Sequence, residues 1–458
     1  MTKKMKRAEF IRNFMIGGVA AAAGVVRADD PNANPFSGSS AVIPHTFEDG
    51  ESAALRDGKV VLPARQVPVF HETDVLVVGG GCAGFAAAVA AAKTGAKVAL
   101  VEKDGSLGGL FTNGMVLIML SSSRREEGGK CTLVTRGVCG EFMDRAEALG
   151  ANFCTKRSAR NCNQPTVDPE GAKYLMDRMV EERKIDMFFH AWGMDVIQEG
   201  NRVQGVVFMS KQGLQAILAR EVVDATGDGD VFFAAGGDCC QLNHPIGFVA
   251  RLANIDRVTA KNVPRGEDGK PLPGHWPLRS NEGNPSSYWM NTQSRRADGL
   301  SVRDLTREEI HHRKTVWEEV ARMRRTPGWE KVYISNTCSQ IGPRVTRLVK
   351  SGCVVDRAKL AANWNPPDAI GWCGDGEVRA FPVPYRSLLP EGVENVIAAG
   401  RMVGAPDTCD TFRLICPCFV TGEAAGTAAA LAAKRGCTPR ELPYGELRRQ
   451  LVANGVYI

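Results

Sequence analysis

The chain has 458 residues, enough for two or three domains with a sizeable core. Its apolar content of 44% and charged content of 24% exclude a disordered protein, a fibrous repeat and a multi-span membrane protein. Glycine is unusually frequent: 49 residues, or about 11%, against a usual share of ~7%. This excess favours tight turns and close approach of the backbone to a ligand.

The first 28 residues have the pattern of an export signal. They contain six basic residues and one acidic residue, and without them the net charge falls from +6 to +1, which argues against a nucleic-acid partner. The apolar stretch 14–26 is shorter than the ~20 residues of a membrane span and precedes the small residue Ala28. Residues 7–12 are similar to a twin-arginine signal, except that Ala8 stands where the second arginine belongs.

We therefore expect an exported, periplasmic protein of a bacterium, with no integral membrane span in the mature chain. An uncleaved N-terminal helix, a membrane tether and a cytoplasmic location are the alternatives. Residues 29–70 are rich in Pro, Asn and Ser and are predicted to form an N-terminal extension.

A βαβ unit follows the extension. The segment "TDVLVV" (73–78) predicts a strand, "GGGCAG" a turn, residues 85–94 a helix, and "AKVALVEK" (96–103) a second strand. After a loop-rich stretch, a further helix is expected near 141–149.

A small β-meander is predicted next. It follows a helix at 168–183, for which Asp168 is the expected N-cap. Three alternating runs, with turns at 200–201 and 212–213, then lead back to a parallel strand that ends near Ala225.

The later part of the chain has a different pattern. Residues 241–390 lack a repeating βαβ signal and contain one amphipathic helix, expected after a capping box formed by Thr306 and Glu309. A strand at 396–401 and an Ala-rich helix at 417–434 follow.

These elements predict an α/β fold. We expect a Rossmann-like dinucleotide-binding domain, made of a parallel sheet plus a β-meander, and a second α+β substrate domain. The predicted boundaries are 1–28 for the export signal, 29–70 for the extension, 71–240 and 391–436 for the discontinuous dinucleotide-binding domain, 241–390 for the substrate or cap domain, and 437–458 for a C-terminal tail.

The strongest motif is Gly79-x-Gly81-x-x-Gly84, between a predicted strand and a predicted helix. Gly79 permits the tight turn, Gly81 lets the backbone approach a pyrophosphate, and Gly84 lets helix and strand pack closely. Glu102 ends the second strand, where an acidic residue binds a ribose hydroxyl pair. Together these features predict a dinucleotide site; the alternative is a glycine-rich turn without a nucleotide.

Four further features favour FAD over NAD. The segment "GSLGG" (105–109) follows Glu102 closely and can track an extended cofactor, and "DATGDGD" (224–230) and "VIAAGR" (396–401) end strands in small residues. The helix from Pro417 offers free N–H groups to the pyrimidine edge of a flavin. The predicted cofactor-binding residues are Gly79, Gly81, Cys82, Ala83, Gly84, Glu102, Lys103, Gly108, Gly109, Ala225, Thr226, Gly227, Asp228, Gly400, Arg401, Cys418 and Phe419.

The ordered set of motifs extends over most of the chain. It consists of segments 74–103, 107–109, 222–230, 340–347, 381–390, 393–401 and 422–432. In this order they resemble the FAD-dependent oxidoreductases of the glutathione-reductase-like superfamily, in the branch with fumarate-reductase-like flavoproteins. The resemblance implies two domains, with FAD extended across the first and its ring facing the second. Many relatives have an acidic residue after the "AG" of the "VIAAGR" segment, where this chain has Arg401.

Two arginines are candidates for substrate binding. Arg413 precedes the last long helix and can clamp a carboxylate or stabilise an oxyanion, unless it pairs with Asp410 or Asp407. Arg344, three residues before Arg347, can bind an anionic substrate or brace the domain interface.

His244 and Tyr385 are the remaining catalytic candidates, each as a proton donor. The alternatives are a solvated loop histidine and a structural tyrosine. Cys416 and Cys418 suggest a redox pair, with ordinary buried thiols as the alternative, and the histidine pair 311–312 is expected on the solvated surface. No zinc-binding pattern occurs, and no metal is expected.

A second GxGxxG unit between a strand and a helix is absent from the sequence, which argues against an NAD(P)H domain. Electrons would then pass to or from a redox partner protein, a quinone or oxygen. We therefore expect an FAD-dependent oxidoreductase that exchanges a hydride with a small organic substrate, by dehydrogenation or C=C reduction. The alternatives are a flavin electron-transfer protein without its own substrate and a thiol/disulfide-handling flavoprotein. Whether the flavin is covalently bound is left open.

Overall fold

The computed structural model describes residues 53–158, 162–255, 278–279, 287–362, 364–374 and 380–458. The expected export signal and most of the expected N-terminal extension lie outside these residues. The helices of the described part are α1 (Cys82–Lys93), α2 (Val138–Ala148), α3 (Pro169–Glu181), α4 (Asp230–Ala234), α5 (Val302–Met323), α6 (Arg357–Ala361), α7 (Cys409–Phe412), α8 (Ile415–Arg435) and α9 (Tyr444–Ala453).

Short and long strands alternate with these helices. In chain order they are β1 (Ala54–Arg56), β2 (Lys59–Val61), β3 (Val69–Val78), β4 (Val98–Glu102), β5 (Ser123–Arg125), β6 (Cys131–Leu133), β7 (Asp186–Phe189), β8 (Trp192–Glu199), β9 (Arg202–Ser210), β10 (Gly213–Asp224), β11 (Cys239–Gln241), β12 (His244–Ala253), β13 (Leu278–Arg279), β14 (Ser287–Ala297), β15 (Tyr333–Thr337), β16 (Gly342–Pro343), β17 (Arg347–Val349), β18 (Ala369–Gly374), β19 (Ala380–Pro384) and β20 (Val396–Ala398).

The main sheet has seven strands, in the order β7-β4-β3-β10-β9-β8, and β20 also pairs with β10. The pairs β7–β4, β4–β3, β3–β10 and β10–β20 are parallel, whereas β8 and β9 form an antiparallel meander with β10. The predicted parallel sheet plus β-meander is therefore confirmed, as are the predicted βαβ unit and the Asp168 N-cap of α3.

Four parallel strands end at the same edge of this sheet. Val78 pairs with Val101 on one side and with Asp224 on the other, and Asp224 pairs with Ala398. In open α/β sheets ligands bind in the crevice outside the carboxyl ends of the strands. This edge is thus where the fold predicts a ligand.

Helices α1 and α8 pack in parallel against each other. A Cβ atom on Gly422 would overlap the carbonyl oxygen of Ala83, and one on Gly426 would overlap that of Ala87. These contacts lie one turn apart on both helices, so the helices run in the same direction and only glycine allows their close approach. Both N-termini therefore lie at the ligand-binding edge of the sheet.

A second sheet is antiparallel, with the order β13-β14-β12-β15 and β16 also paired to β12. Helix α5 packs on it, and the fully buried side chains of Phe248, Val316 and Trp329 belong to one core between them. This α+β arrangement agrees with the fold class predicted for the second part of the chain.

Helix α5 begins earlier than the predicted capping box. Ser301 is its N-cap and accepts a hydrogen bond from the Asp304 N–H, whereas Thr306 lies in the second turn and donates its hydroxyl to Val302 O. The prediction of a start at Thr306 is therefore wrong. Ser301-x-x-Asp304 has the same spacing as Thr306-x-x-Glu309, so the spacing alone does not distinguish the two starts.

The expectation of a solvated histidine pair is wrong for His312. Its ring is buried, stacks on Phe248 with centroids 5.7 Å apart, and lies 2.9 Å from Thr292 Oγ1. Glu308 and Val316, four residues before and after it, are also buried. His312 therefore belongs to the row of α5 that faces the second sheet.

Helix α8 begins at Ile415, two residues before the predicted start, with Leu414 as its N-cap. Among the described helices of 18 residues or more, it is the one long and apolar enough to cross a membrane, but 94% of its apolar window is buried inside the protein. This burial is typical of a core helix.

One disulfide, Cys131–Cys162, occurs in the described residues. It joins β6 to the loop before α3. Next to it, Ser122 Oγ donates to Asn163 O and Asn163 Nδ2 donates to Cys131 O. Pairing of this kind could not be derived from the sequence.

Candidate functional site

A long cleft opens at the carboxyl edge of the main sheet and continues to the second sheet. At one end it is lined by Glu102, Lys103 and Trp192, and at the other by Arg344 and Arg413. Fifteen of the seventeen predicted cofactor-binding residues line it: Gly79, Gly81, Cys82, Ala83, Glu102, Lys103, Gly108, Gly109, Ala225, Thr226, Gly227, Asp228, Gly400, Arg401 and Cys418.

The turn between β3 and α1 requires glycine. Gly79 has φ +96°, and a Cβ atom on it would lie 2.8 Å from the carbonyl carbon of Ala225. A Cβ on Gly84 would overlap Gly79 O, so Gly84 keeps α1 close to β3. Gly81, the N-cap of α1, instead faces open space, with no atom within 4 Å of its Cβ position. The N-terminus of α1 is thus free to receive an anion.

Glu102 is held at the end of β4 by backbone donors. Its Oε2 accepts from Gly80 N at 2.6 Å and its Oε1 accepts from Asp104 N at 2.8 Å. Burial raises the pKa of Glu102 above its ordinary value, although both amides oppose that shift. Lys103, the next residue, pairs with Asp104 at 2.9 Å and lies 5.9 Å from the centre of the Trp192 ring.

The predicted "DATGDGD" loop is fixed by Asp224. One carboxylate oxygen accepts from the Thr226 N–H and hydroxyl, and the other accepts from Val231 N and Phe232 N in α4. This places the cleft-lining residues Thr226 to Asp228 at a defined position, although they carry no regular structure.

Arg401 pairs within the cleft wall. Its Nη2 lies 2.8 Å from Asp228 Oδ1, and its guanidinium packs on Gly227. Arg401 Nε is buried without a hydrogen-bond partner among the described residues. A buried donor in this position is available to the acceptor atom of a bound ligand.

The opposite end of the cleft contains two arginines. Arg413 forms an ion pair with Asp410 at 2.9 Å. Arg344 is half-buried and has no hydrogen-bond or ion-pair partner in the described part of the chain. Burial, followed by the positive charge of Arg413, lowers the pKa of Arg344 below its ordinary value. The two guanidinium groups are therefore close enough to repel each other.

The other two catalytic candidates do not line the cleft. His244 Nε2 lies 3.6 Å from Asp410 Oδ1, behind Arg413, and burial lowers the pKa of His244. Tyr385 is 4% exposed and donates its hydroxyl to Pro439 O at 2.8 Å. Of the predicted cofactor-binding residues, Gly84 and Phe419 are also absent from the cleft wall.

Sequence reasoning missed much of the wall near the arginines. Val116, Ile118 and Leu120 line the cleft, as do Trp289 and Asn291 of β14. The continuous apolar run 115–120 was a readable signal for a buried extended segment, but it did not indicate which of its side chains face the cleft. Nothing in the local sequence of β14 indicated that it would meet this segment.

The thiols of the "CPC" segment face different surroundings. Cys418 lines the cleft, and burial raises its pKa to about 12. Cys416 is fully buried and does not line the cleft; its Sγ lies 3.7 Å from Met119 O. Two residues apart on a helix, their side chains point about 200° away from each other.

The cleft fits an extended dinucleotide cofactor. An acidic side chain lies at one end, the open N-terminus of α1 lies in the middle, and the N-terminus of α8 lies beyond it near Arg413. Arg401 Nε is the unpaired donor beside the middle section. FAD is long enough to contact the acidic side chain and the N-termini of both helices.

The comparison with known families agrees with this geometry. Residues 74–451 match the family described as FAD dependent oxidoreductase. The chain belongs to this family. As a family member it is an enzyme with FAD as its cofactor, and the resemblance stated from the sequence is confirmed.

Individual relatives match short segments or the fold alone. Dihydrolipoyl dehydrogenase from Manduca sexta is 45% identical over 62 residues, which are 14% of this chain and 12% of that protein. Glutathione reductase from Schizosaccharomyces pombe is 54% identical over 46 residues, 10% of each chain. The chain thus matches only about a tenth of the length of these curated relatives.

Solved structures are similar at a lower level of identity. A geranylgeranyl bacteriochlorophyll reductase-like protein from Thermoplasma acidophilum has a TM-score of 0.44 and 16% identity, over 84% of each chain. The open conformation of a flavocytochrome c3 fumarate reductase has a TM-score of 0.40 and 16% identity, over 80% of this chain and 79% of that one.

Proposed function

We propose that this enzyme exchanges a hydride between FAD and a small organic substrate that binds at the arginine end of the cleft. The observation that carries the proposal is the continuity of the cleft. It runs from the acidic residue Glu102 past the N-terminus of α1 to Arg344 and Arg413, where the second sheet covers it. When bound, FAD supplies the hydride-transfer chemistry, as a dehydrogenation in one direction and a C=C reduction in the other.

The residues of this chain bind the substrate, orient it and shield it from water. Free N–H groups in the first turn of α8 place the positive end of the helix dipole at the cleft. Arg413, directly before Leu414, and Arg344 supply donors for an oxyanion or carboxylate. Trp289 and Asn291 close the cleft from the second sheet and limit the access of water. His244 lies next to Asp410, the ion-pair partner of Arg413, so its proposed role is to set the net charge of the arginine end of the cleft.

The covering by the second sheet favours an enzyme with its own substrate over a simple electron carrier. Gly247, Val249, Trp289 and Asn291 all line the cleft, and an electron carrier has no need of such a chamber. The thiol alternative is disfavoured by the opposite orientation of Cys416 and Cys418, since a disulfide requires Cβ vectors that face each other.

We further propose that electrons leave or enter through a redox partner protein or a quinone, and that the protein is exported. The Cys131–Cys162 disulfide supports export, because such bonds persist in oxidising compartments. Fusion of residues 1–40 to a reporter that works only outside the cytoplasm tests export; a reporter that stays inactive contradicts it.

The function is tested by anaerobic photoreduction of the FAD-loaded protein, followed by mixing with a panel of organic acceptors. The parallel arm mixes oxidised protein with organic donors. We expect at least one acceptor to restore the visible absorbance of the reduced flavin, or at least one donor to bleach that of the oxidised flavin. Exchange of electrons with one-electron carriers alone, and with no organic compound, would contradict the proposal and favour the electron-transfer alternative.

A further inference from the structure

The arginine end of the cleft combines a cationic site with an apolar wall. Val116, Ile118 and Leu120 form the first part of this wall. We call these three residues the apolar strip. Residues 117 and 119, between them, are buried in the protein with at most 1% exposure. Because alternate side chains of an extended segment face opposite sides, the strip is presented to the cleft and its intervening residues to the core.

The strip is held in place by its ends. Met115 and Ser121, which flank it, have φ +53° and +69°. Non-glycine residues keep such angles only where surrounding contacts fix them. Met115 O accepts a 2.7 Å hydrogen bond from Trp289 Nε1 of the second sheet, and Met119 N donates to Pro165 O. The apolar strip is therefore a preformed surface.

Two side chains of the strip are open to the cleft. Val116 and Leu120 are 37% and 36% exposed, although the residues beside them are buried. Further apolar groups that line the same cleft are Trp289, Leu414 and Val249. A ligand carbon chain or ring would remove this surface from water, which is favourable in proportion to the area buried.

The charge of the cationic site is about one unit. Arg344 and Arg413 contribute two positive charges and Asp410, paired with Arg413, contributes one negative charge. His244, a titratable neighbour of this pair, is desolvated, which lowers its pKa and favours the neutral ring at pH 7. Burial raises the pKa of two further neighbours, Cys409 and Cys418, so both thiols are uncharged. One negative charge on a ligand therefore neutralises the site, whereas a second negative charge would have no positive partner there.

Two uncharged groups complete the arrangement. Gln340 Oε1 is buried without a hydrogen-bond partner among the described residues, and Asn291 of β14 also lines the cleft. A buried unpaired oxygen accepts a hydrogen bond from a ligand hydroxyl or amide with little competition from water. A polar substituent on the ligand thus has a partner here.

We infer that the substrate is an organic monocarboxylate with an apolar body of several carbon atoms, its carboxylate at Arg344 and Arg413 and its body on the apolar strip. This inference rests on the proposed function, because it takes the arginine end as the substrate position. A short dicarboxylate fits less well, since its second charge would lie against Val116, Ile118 and Leu120.

The test is a binding titration of oxidised, FAD-loaded protein, read from perturbation of the flavin spectrum and checked by equilibrium dialysis. The probes are hexanoate, propionate, hexanamide and adipate. We expect hexanoate to bind more tightly than propionate, by about fourfold for each methylene group that contacts the wall. Hexanamide, which lacks the charge, and adipate, which adds a second one, are expected to bind at least about tenfold more weakly than hexanoate.

Two variants test the contributions of the arginine charge and of the apolar strip separately. Arg344→Gln should weaken hexanoate about tenfold or more and leave hexanamide unchanged. Leu120→Ser should reduce the difference between hexanoate and propionate, while Leu55→Ser, at an exposed leucine outside the cleft wall, should not. Equal binding of hexanoate and hexanamide, or tighter binding of adipate, would overturn the inference.

Failure of this inference can be told apart from failure of the proposed function. Titration of the oxidised protein needs no turnover. If carboxylates fail to bind while an organic compound exchanges electrons with the flavin, the substrate class is wrong and the function stands. If carboxylates bind as expected but no organic compound exchanges electrons, the proposed function is wrong and the carboxylate site loses its role as a substrate site.

Discussion

The two ends of the cleft are built differently. The cofactor end consists of glycines, backbone amides and charges that are paired within the protein, such as Arg401 with Asp228 at 2.8 Å. The arginine end, which we propose binds the substrate and call the substrate end, consists of side chains from several distant segments. Its Arg344 has no ion-pair partner among the residues described. We therefore propose that backbone shape selects the cofactor, whereas the net positive charge of the arginines and the apolar wall select the substrate.

This difference implies that the two ends can be damaged separately. A change at the N-terminus of α1 should remove FAD without altering the substrate end. A change at the arginines should do the reverse. Each of the following variants tests that separation.

The largest effect is expected at Gly81. Its Cβ position faces open space, so Gly81→Asp fits the folded protein but places a carboxylate where we expect the pyrophosphate to bind. We expect FAD affinity to fall about 100-fold or more because like charges repel at short distance. Titration of the FAD-free protein by flavin fluorescence measures this.

A matched control for Gly81 is available in α9. Gly445→Asp also adds a carboxylate in a first helical turn with open space around it, but outside the cleft wall. It should bind FAD like the wild type. Wild-type affinity in Gly81→Asp would mean that the pyrophosphate does not lie at α1.

The disulfide should matter for the substrate end alone. Cys131–Cys162 fixes the loop that runs behind the apolar strip, since Ile118 bridges to Thr166. We expect Cys131→Ser to lower the free energy of unfolding by roughly 2–4 kcal/mol and to weaken hexanoate binding, with FAD affinity retained. Denaturant titration and the two binding assays measure this.

The free thiol Cys437 provides the comparison for that variant. Cys437→Ser should leave both binding properties intact. If Cys131→Ser weakened FAD and hexanoate equally, the loop would support the whole cleft, and the separation of the two ends would fail.

A smaller effect is expected from pH. Burial lowers the pKa of His244 below its ordinary value of 6.5, so the ring gains its charge only as the pH falls below that value. Protonation adds a positive charge near Arg413, and affinity for hexanesulfonate, which stays ionised, should rise about threefold to fivefold. His244→Gln should abolish the rise; a rise that persists in this variant would place the titrating group elsewhere.

The same contrast explains what the sequence could reveal. The cofactor end follows local rules: a glycine spacing, a strand before it and Glu102 at the end of the next strand. Arg344 and Arg413 were identifiable as candidates, but their proximity depends on packing between the two sheets. Trp289 has no local motif and was missed.

Errors within single elements have a similar origin. The start of α5 was misplaced because Ser301 and Thr306 offer the same capping pattern, and only packing chooses between them. Charged residues surround His312 in the sequence and predict a solvated side chain. Its four-residue spacing to Val316 carried the opposite signal.

The most direct test of separate cofactor and substrate ends is Arg413→Ala, compared with Arg307→Ala. Both arginines pair with an aspartate three residues earlier, but only Arg413 lines the cleft. FAD content and the rate of flavin reoxidation, with an acceptor found in the screen, are measured on the same preparations. We predict that Arg413→Ala keeps full FAD content and loses about 100-fold to 1,000-fold in rate, whereas Arg307→Ala changes neither. Full activity of Arg413→Ala, or loss of its FAD, would contradict the account.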